Sequence, residues 1–171
     1  MDSQGRAAVA SLVTVGAVLL AAGCADAAAS SAAPHRAAPS RAGLRATGAA
    51  YLAIAQPANR ELDHEFDGFG DHMKDGELAA ARADLRAVAT TERRFDRQLI
   101  AIAFPPRTEP LVRVLYRVNQ ARARLTSTAA ATTSLPGLRG YQRQLDAANE
   151  PVEDAVRVIR DQLDLPPPDT S

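Results

Sequence analysis

Apolar side chains recur every three or four residues from about residue 46 onward, and this spacing constrains the fold more than any other feature of the chain. The spacing matches the 3.6-residue turn of an α-helix and gathers the apolar residues on one helical face. Four such series follow one another, and none is replaced by a run that alternates with a period of two. The sequence therefore predicts an all-α fold of four amphipathic helices.

Turn signals divide the four series. The first helix is expected over about 46–73, and Asp75-Gly76 then forms a turn. Phe104-Pro105-Pro106 ends the second helix, because a residue that precedes proline is disfavoured in the α conformation. Residues 132–137 separate the third helix from the fourth. Thr108 and Ser134 are candidate N-caps, and Pro57 and Pro151 are expected to kink the first and fourth helices.

The predicted helices are similar in length, at about 28, 28, 24 and 29 residues, and the loops between them are short. Short loops make successive helices antiparallel, and similar lengths allow them to pack along their whole extent. We therefore predict an up-down-up-down antiparallel four-helix bundle.

Charge and composition exclude some functions. The 171 residues carry 20 basic and 20 acidic side chains, so the net charge is zero. A general nucleic-acid binder needs a basic excess to neutralise phosphates, and we expect no nucleic-acid partner. Aromatic residues make up 4% of the chain and tryptophan is absent, which leaves little material for a base-stacking surface.

The first 24 residues have the pattern of a targeting signal. A short head with Arg6 precedes a 16-residue apolar stretch over 7–22, which is shorter than the ~20 residues that span a bilayer. The stretch leads into Leu20-Ala21-Ala22-Gly23-Cys24, and Cys24 is the only cysteine of the chain. This segment resembles the lipobox of bacterial lipoproteins, especially small secreted lipoproteins of high-GC actinobacteria.

The resemblance implies a processed and lipidated N-terminus. Residues 1–23 would be the lipoprotein signal peptide, and Cys24 would carry a diacylglycerol thioether and usually an amide-linked acyl chain such as palmitate. The protein would then be held on the extracytoplasmic face of the cell membrane by its lipid anchor. Two or three acyl chains make such an anchor stable.

The remainder divides by composition. Cys24 and the polar, alanine-rich residues up to 45 are expected to form a flexible tether, because they contain almost no large apolar side chains. The bundle is expected over 46–165, followed by a frayed tail over 166–171.

The densest cluster of ionisable residues lies on the first predicted helix. His64, Asp67 and Asp71 share one direction within about 40° and could ligate a divalent metal ion. They point away from the apolar face, so we treat them as weak candidates on a solvated surface and expect no metal. The chain offers no spacing typical of a nucleophile with its base, and we expect neither an enzyme nor a cofactor.

Charged residues interrupt two apolar stripes. Glu92 lies between Val88 and Phe95 on the second predicted helix, and Arg122 occupies the equivalent place on the third. Antiparallel packing brings the two within about 4.5 Å along the axis, so we predict that they pair. Three asparagines are expected at a similar height, completing a buried polar layer: Asn59, Asn119 and Asn149.

A polar layer of this kind most often fixes register and topology in a bundle. The first functional hypothesis is accordingly a lipid-anchored, non-catalytic interaction or structural module whose protein partner is unknown. The alternative is an extracytoplasmic protein that binds a metal ion or a small solute. A closed and fully paired layer favours the first hypothesis, and an open polar cavity favours the second.

Overall fold

The computed structural model describes residues 40–168. The predicted signal peptide, Cys24, the tether up to residue 39 and residues 169–171 lie outside this part. Four helices form within it, and no strand occurs among residues 40–168. The helices are α1 (Arg41–Asp75), α2 (Leu78–Leu99), α3 (Glu109–Ala130) and α4 (Leu135–Gln162). Each packs against the next in the chain, which confirms the predicted all-α four-helix bundle.

The first helix begins earlier than the sequence predicts. The expected tether boundary at residue 45 is wrong, because α1 starts at Arg41. The Ser40 hydroxyl caps this start by accepting a hydrogen bond from the Gly43 amide at 3.1 Å. About two turns later Gly48 is buried, and Leu165 lies so close that a Cβ at residue 48 would be 3.1 Å from its Cδ2. A cap and a contact with the far end of the chain thus order residues that local composition assigns to the tether.

The second helix ends earlier than predicted. It stops at Leu99, and the backbone then tightens, because the Ala101 and Ile102 amides each donate to the carbonyl three residues back at 3.2 Å. Pro105 restricts only its predecessor, Phe104, and therefore accounts for the absence of helix at residue 104 but not for the earlier end at Leu99. Phe104 still reaches the core, where it is 9% exposed.

The turn glycine after the first helix and one of the two candidate N-caps act as expected. Gly76 ends α1 in the left-handed conformation, with φ of 78°, and Ser134 caps α4 by accepting from the Gly137 amide at 3.2 Å. Thr108 stands at the N-cap position of α3, but its side chain is buried and makes no capping hydrogen bond. Both internal prolines lie inside continuous helices.

The start of the tail is held in place. Arg160 Nε donates to the Pro166 carbonyl at 2.6 Å, and Arg160 Nη2 donates to the Pro167 carbonyl at 3.1 Å. These bonds fasten the first residues of the segment that the sequence predicts to fray.

The core consists of two hydrophobic clusters, one towards each end of the bundle. We call the end that holds the start of α1 and the α2–α3 loop the proximal end, and the opposite end the distal end. The proximal cluster comprises Tyr51, Ala55, Leu99, Phe104, Val112, Leu115, Val152, Ala155, Ile159 and Leu163. The distal cluster comprises Ala81, Leu85, Ala129, Ala130, Leu138 and Leu145. Along residues 40–168, no helix is both long and apolar enough to cross a bilayer.

Candidate functional site

The pairing predicted between Glu92 and Arg122 is present at the centre of the bundle. Arg122 Nε lies 2.6 Å from Glu92 Oε1; the glutamate side chain is fully buried and the arginine side chain is 12% exposed. The N–H bond is not directed at the carboxylate, since Nε and both carboxylate oxygens lack an aligned hydrogen-bond partner among the described residues. The contact is therefore a close charge pair whose hydrogen-bonding capacity is only partly used.

Burial changes the acidity of the pair. It raises the pKa of Glu92 from 4.5 to about 7, and the positive charge of Arg122 only partly opposes this effect. The nearby Asp96 carboxylate raises the pKa further. Glu92 therefore changes charge near neutral pH, unlike an exposed glutamate.

A second buried carboxylate, Asp96, extends the layer. Asn119 Nδ2 donates to Asp96 Oδ1 at 2.8 Å, and Gln120 Nε2 donates to Asp96 Oδ2 at 2.9 Å. Burial raises the pKa of Asp96, and these two hydrogen bonds act against the increase. Sequence reasoning missed Asp96 and Gln120. The signal was available, because Asp96 follows Glu92 by one helical turn and shares its face.

The asparagines predicted for the layer differ in their roles. Asn119 is buried, as expected, and Asn149 accepts a hydrogen bond from Arg122 Nη1 at 3.2 Å. Assigning Asn59 to the buried layer is wrong, since this side chain is exposed. It nevertheless lines the cavity described next.

A cavity of about 60 Å³ adjoins the layer on its proximal side. Its polar lining is contributed by all four helices and consists of Tyr51, Asn59, Glu92, Asn119, Arg122 and Arg160. This space accommodates a few water molecules or an ion, because one water needs roughly 10–15 Å³. It is too small for most organic ligands, whose pockets measure about 300–1,000 Å³.

The polar layer separates the two hydrophobic clusters. Glu92 lies between the distal Leu85 and the proximal Leu99 on α2, and Asn149 lies between Leu145 and Val152 on α4. Sliding one helix by a turn would bury an unpaired charge against apolar side chains, at a cost of several kcal/mol. The layer therefore specifies the register of the bundle.

The weak metal candidates do not converge. His64, Asp67 and Asp71 are all exposed on α1, and Asp71 Oδ1 instead accepts from Lys74 Nζ at 2.8 Å. That hydrogen bond lowers the pKa of Asp71. Within residues 40–168, no group of three His, Cys, Asp or Glu side chains is arranged to hold a metal ion.

The contacts between α1 and α2 include polar pairs that the sequence did not indicate. His72 Nδ1 lies 2.7 Å from Asp84 Oδ2, and this hydrogen bond raises the pKa of His72. Thr91 is buried and donates to Glu65 Oε1 at 3.1 Å. Arg94 also pairs with Glu61. These contacts attach the acidic half of α1 to α2.

Comparison of the chain with protein-family models, with curated proteins and with solved structures finds no match.

Proposed function

We propose that this protein is a lipoprotein anchored through Cys24 to the extracytoplasmic face of the cell membrane, and that its bundle is a non-catalytic interaction module. The anchor is supported by the residues themselves. A single cysteine stands directly after a 16-residue apolar stretch and the small residues Ala21, Ala22 and Gly23. The observation that carries the interaction role is the segregation of surface charge on the bundle.

Charge is unevenly distributed over a chain whose net charge is zero. Residues 78–130, which contain α2 and α3, carry ten arginines and four acidic residues. In contrast, α1 carries six acidic and four basic residues, and α4 carries five acidic and four basic residues. One side of the bundle is therefore strongly cationic, as expected of a surface that attracts an anionic partner.

Replacement of the lipidated cysteine tests the anchor. Cys24→Ser removes the thiol that forms the thioether, so the variant should incorporate no labelled fatty acid and should leave the membrane fraction. Ser30→Ala, a matched change outside the lipobox, should label and fractionate like the unmodified protein. A Cys24→Ser protein that still takes up label and remains in the membrane would contradict the anchor.

A second candidate function is the binding of a small polar solute or ion in the cavity beside Glu92. The specific observation in its favour is that both Glu92 carboxylate oxygens lack an aligned hydrogen bond where the cavity meets the layer. A ligand that donates hydrogen bonds would satisfy them.

Native mass spectrometry of the protein purified from its own host tests this second function. A retained small mass that disappears in Glu92→Gln, but persists in the exposed control Glu153→Gln, would support it. A mass that equals the polypeptide and its lipid alone would exclude a stably held ligand.

A further inference from the structure

Most arginines of α2 and α3 form a single surface. Four of the five arginines of α2 are spaced by four, seven and four residues, which places them along one side of the helix: Arg82, Arg86, Arg93 and Arg97. The fifth, Arg94, pairs with Glu61 of α1. Three of them line a shallow groove of about 380 Å³ between α2 and α3. Arg93 also donates to Ser127 across this groove.

The neighbouring side of α3 continues this surface. Gln120 and Ser127 face α2, since they bond to Asp96 and Arg93 respectively. Arg117 lies three residues before Gln120, and Arg124 lies three residues before Ser127. Residues three apart are neighbours on a helix surface, so both arginines lie beside the α2-facing residues on the same side of α3. Both are exposed, as are Arg97 and Arg113. We call the resulting surface the arginine face.

Acidic side chains do not neutralise the arginine face. Among the four acids of residues 78–130, Glu92 and Asp96 are buried inside the bundle, and Asp84 is bonded to His72 on the α1 side. Glu109 is exposed at the start of α3, where it lies 3.9 Å from Arg113. Most of the arginines on this surface thus have no acidic partner among residues 78–130.

The proximal end adds an apolar tip. Ile100 is 60% exposed, the highest value among the large hydrophobic residues that the structure describes as exposed. It begins the α2–α3 loop between Arg97 and the exposed Arg107. Apolar residues flanked by arginines are typical of protein segments that enter the headgroup region of an anionic membrane.

The chain reaches the bundle at this same end. Only 16 residues separate Cys24 from Arg41, so the start of α1 can lie no more than about 60 Å from a lipid attached at Cys24. The α2–α3 loop lies at this end of the bundle too, because Tyr51 in the first half of α1 and Phe104 of the loop belong to the same proximal cluster. A lipid anchor would therefore keep Ile100 and the arginine face within reach of the membrane surface.

We infer that the arginine face, with Ile100 at its tip, docks onto the anionic phosphate headgroups of the membrane that carries the anchor. This inference rests on the proposed function only for the anchor that holds the bundle near the bilayer. Guanidinium groups bind phosphate oxygens in a bidentate manner, and two antiparallel helices of about 33 Å offer an extended surface to a planar partner. A nucleic acid or a soluble acidic protein explains neither the exposed isoleucine nor its position beside the entry of the chain.

An environment-sensitive thiol dye tests the docking in the full chain. A dye attached at Ile100→Cys should shift its emission to shorter wavelength when phosphatidylcholine vesicles that carry the protein also contain phosphatidylglycerol. A dye at the exposed distal residue in Thr133→Cys should not respond. High salt should reverse the shift, because surface charges are then screened.

Matched charge variants assign the effect to the arginine face. Replacing Arg97, Arg107 and Arg117 by glutamine should weaken docking about 100-fold, since each basic residue contributes a factor of about five at an anionic surface. The same replacement of three α4 arginines (Arg139, Arg143 and Arg157) should have little effect.

Two results would overturn the inference. One is a dye emission that is the same with and without phosphatidylglycerol, and the other is an equal loss of docking in both triple variants. A soluble polyanion that binds the face while anionic vesicles leave the dye unchanged gives the first of these results.

The same dye separates docking from anchoring. A thioether at Cys24 does not react with a maleimide dye, so the protein without an added cysteine should remain unlabelled. Labelling of the protein without the added cysteine would mean that Cys24 carries a free thiol. That result would refute the lipid anchor but not the docking of the arginine face. Docking would then be measured on a Cys24→Ser background by the same dependence on anionic lipid.

Discussion

Removal of the charges at the centre of the bundle gives a quantitative test of the polar layer. Glu92 is fully buried and its charge is balanced by Arg122, whose Nε lies 2.6 Å away. Glu92→Leu leaves the guanidinium buried without its partner, and Arg122→Leu leaves the carboxylate in the same state. Each single change should lower the free energy of unfolding by about 3 kcal/mol, as is typical when a buried pair loses one member.

The double replacement should be far less harmful than the sum of the single ones. Glu92→Leu with Arg122→Leu removes both charges and fills the space with apolar side chains, so the free energy of unfolding should change by less than about 1 kcal/mol. Chemical denaturation above pH 7 is the appropriate assay, because Glu92 is then ionised.

An exposed ion pair on α4 provides the control. Arg157 and Asp154 lie 2.8 Å apart with side chains more than half exposed, and their cycle should give a coupling of about 0.5 kcal/mol or less. Additive losses of about 6 kcal/mol in the Glu92–Arg122 double variant would show that the two side chains do not interact, and the argument for register would fail.

Three further predictions concern titration and backbone geometry. The folded-state pKa of Glu92, about 7, exceeds its ordinary value of 4.5, so the carboxyl group binds its proton more tightly in the native state. Relative to Glu92→Gln, the protein should therefore lose about 3 kcal/mol of unfolding free energy as the pH rises from 4.5 to 7. Parallel profiles of unfolding free energy against pH in the two proteins would contradict this expectation. Asp84→Asn should lower the pKa of His72 in an NMR titration, because the hydrogen bond from Asp84 raises it; an unchanged pKa would mean that the bond does not form in solution. Gly76→Ala should lower the free energy of thermal unfolding by about 1 kcal/mol, because residue 76 has a φ of 78°. As a control, Gly140→Ala should raise it by a similar amount, because a Cβ at residue 140 enters open space inside α4. Equal effects of the two substitutions would refute the role of Gly76 as a cap.

The fold class was predictable because the apolar period and the turn residues agree with each other. Four series with helical spacing leave little choice of architecture. They are separated by Asp75-Gly76, by two prolines and by the capping residue Ser134. The Glu92–Arg122 pair was predictable for the same reason: two charges interrupted apolar stripes at matching heights, and burial demands that such charges pair.

The remaining details depend on contacts that local sequence does not encode. The start of α1 at Arg41 depends on Leu165, which is distant in the chain and packs against Gly48. The hydrogen bonds that satisfy the buried Asp96 carboxylate come from Asn119 and Gln120 on α3, which are distant from it in the chain. The arginine face was hidden by a net charge of zero, since the sum over a chain does not reveal how charge is distributed over a surface.

The measurement that tests the central proposal most directly is the mass of the N-terminal peptide of the protein isolated from its native membrane. We expect the peptide to begin at Cys24 and to exceed its sequence mass by a thioether-linked diacylglycerol, with or without an additional acyl chain. An unmodified Cys24, or a mature protein that begins at any other residue, would contradict the lipid anchor.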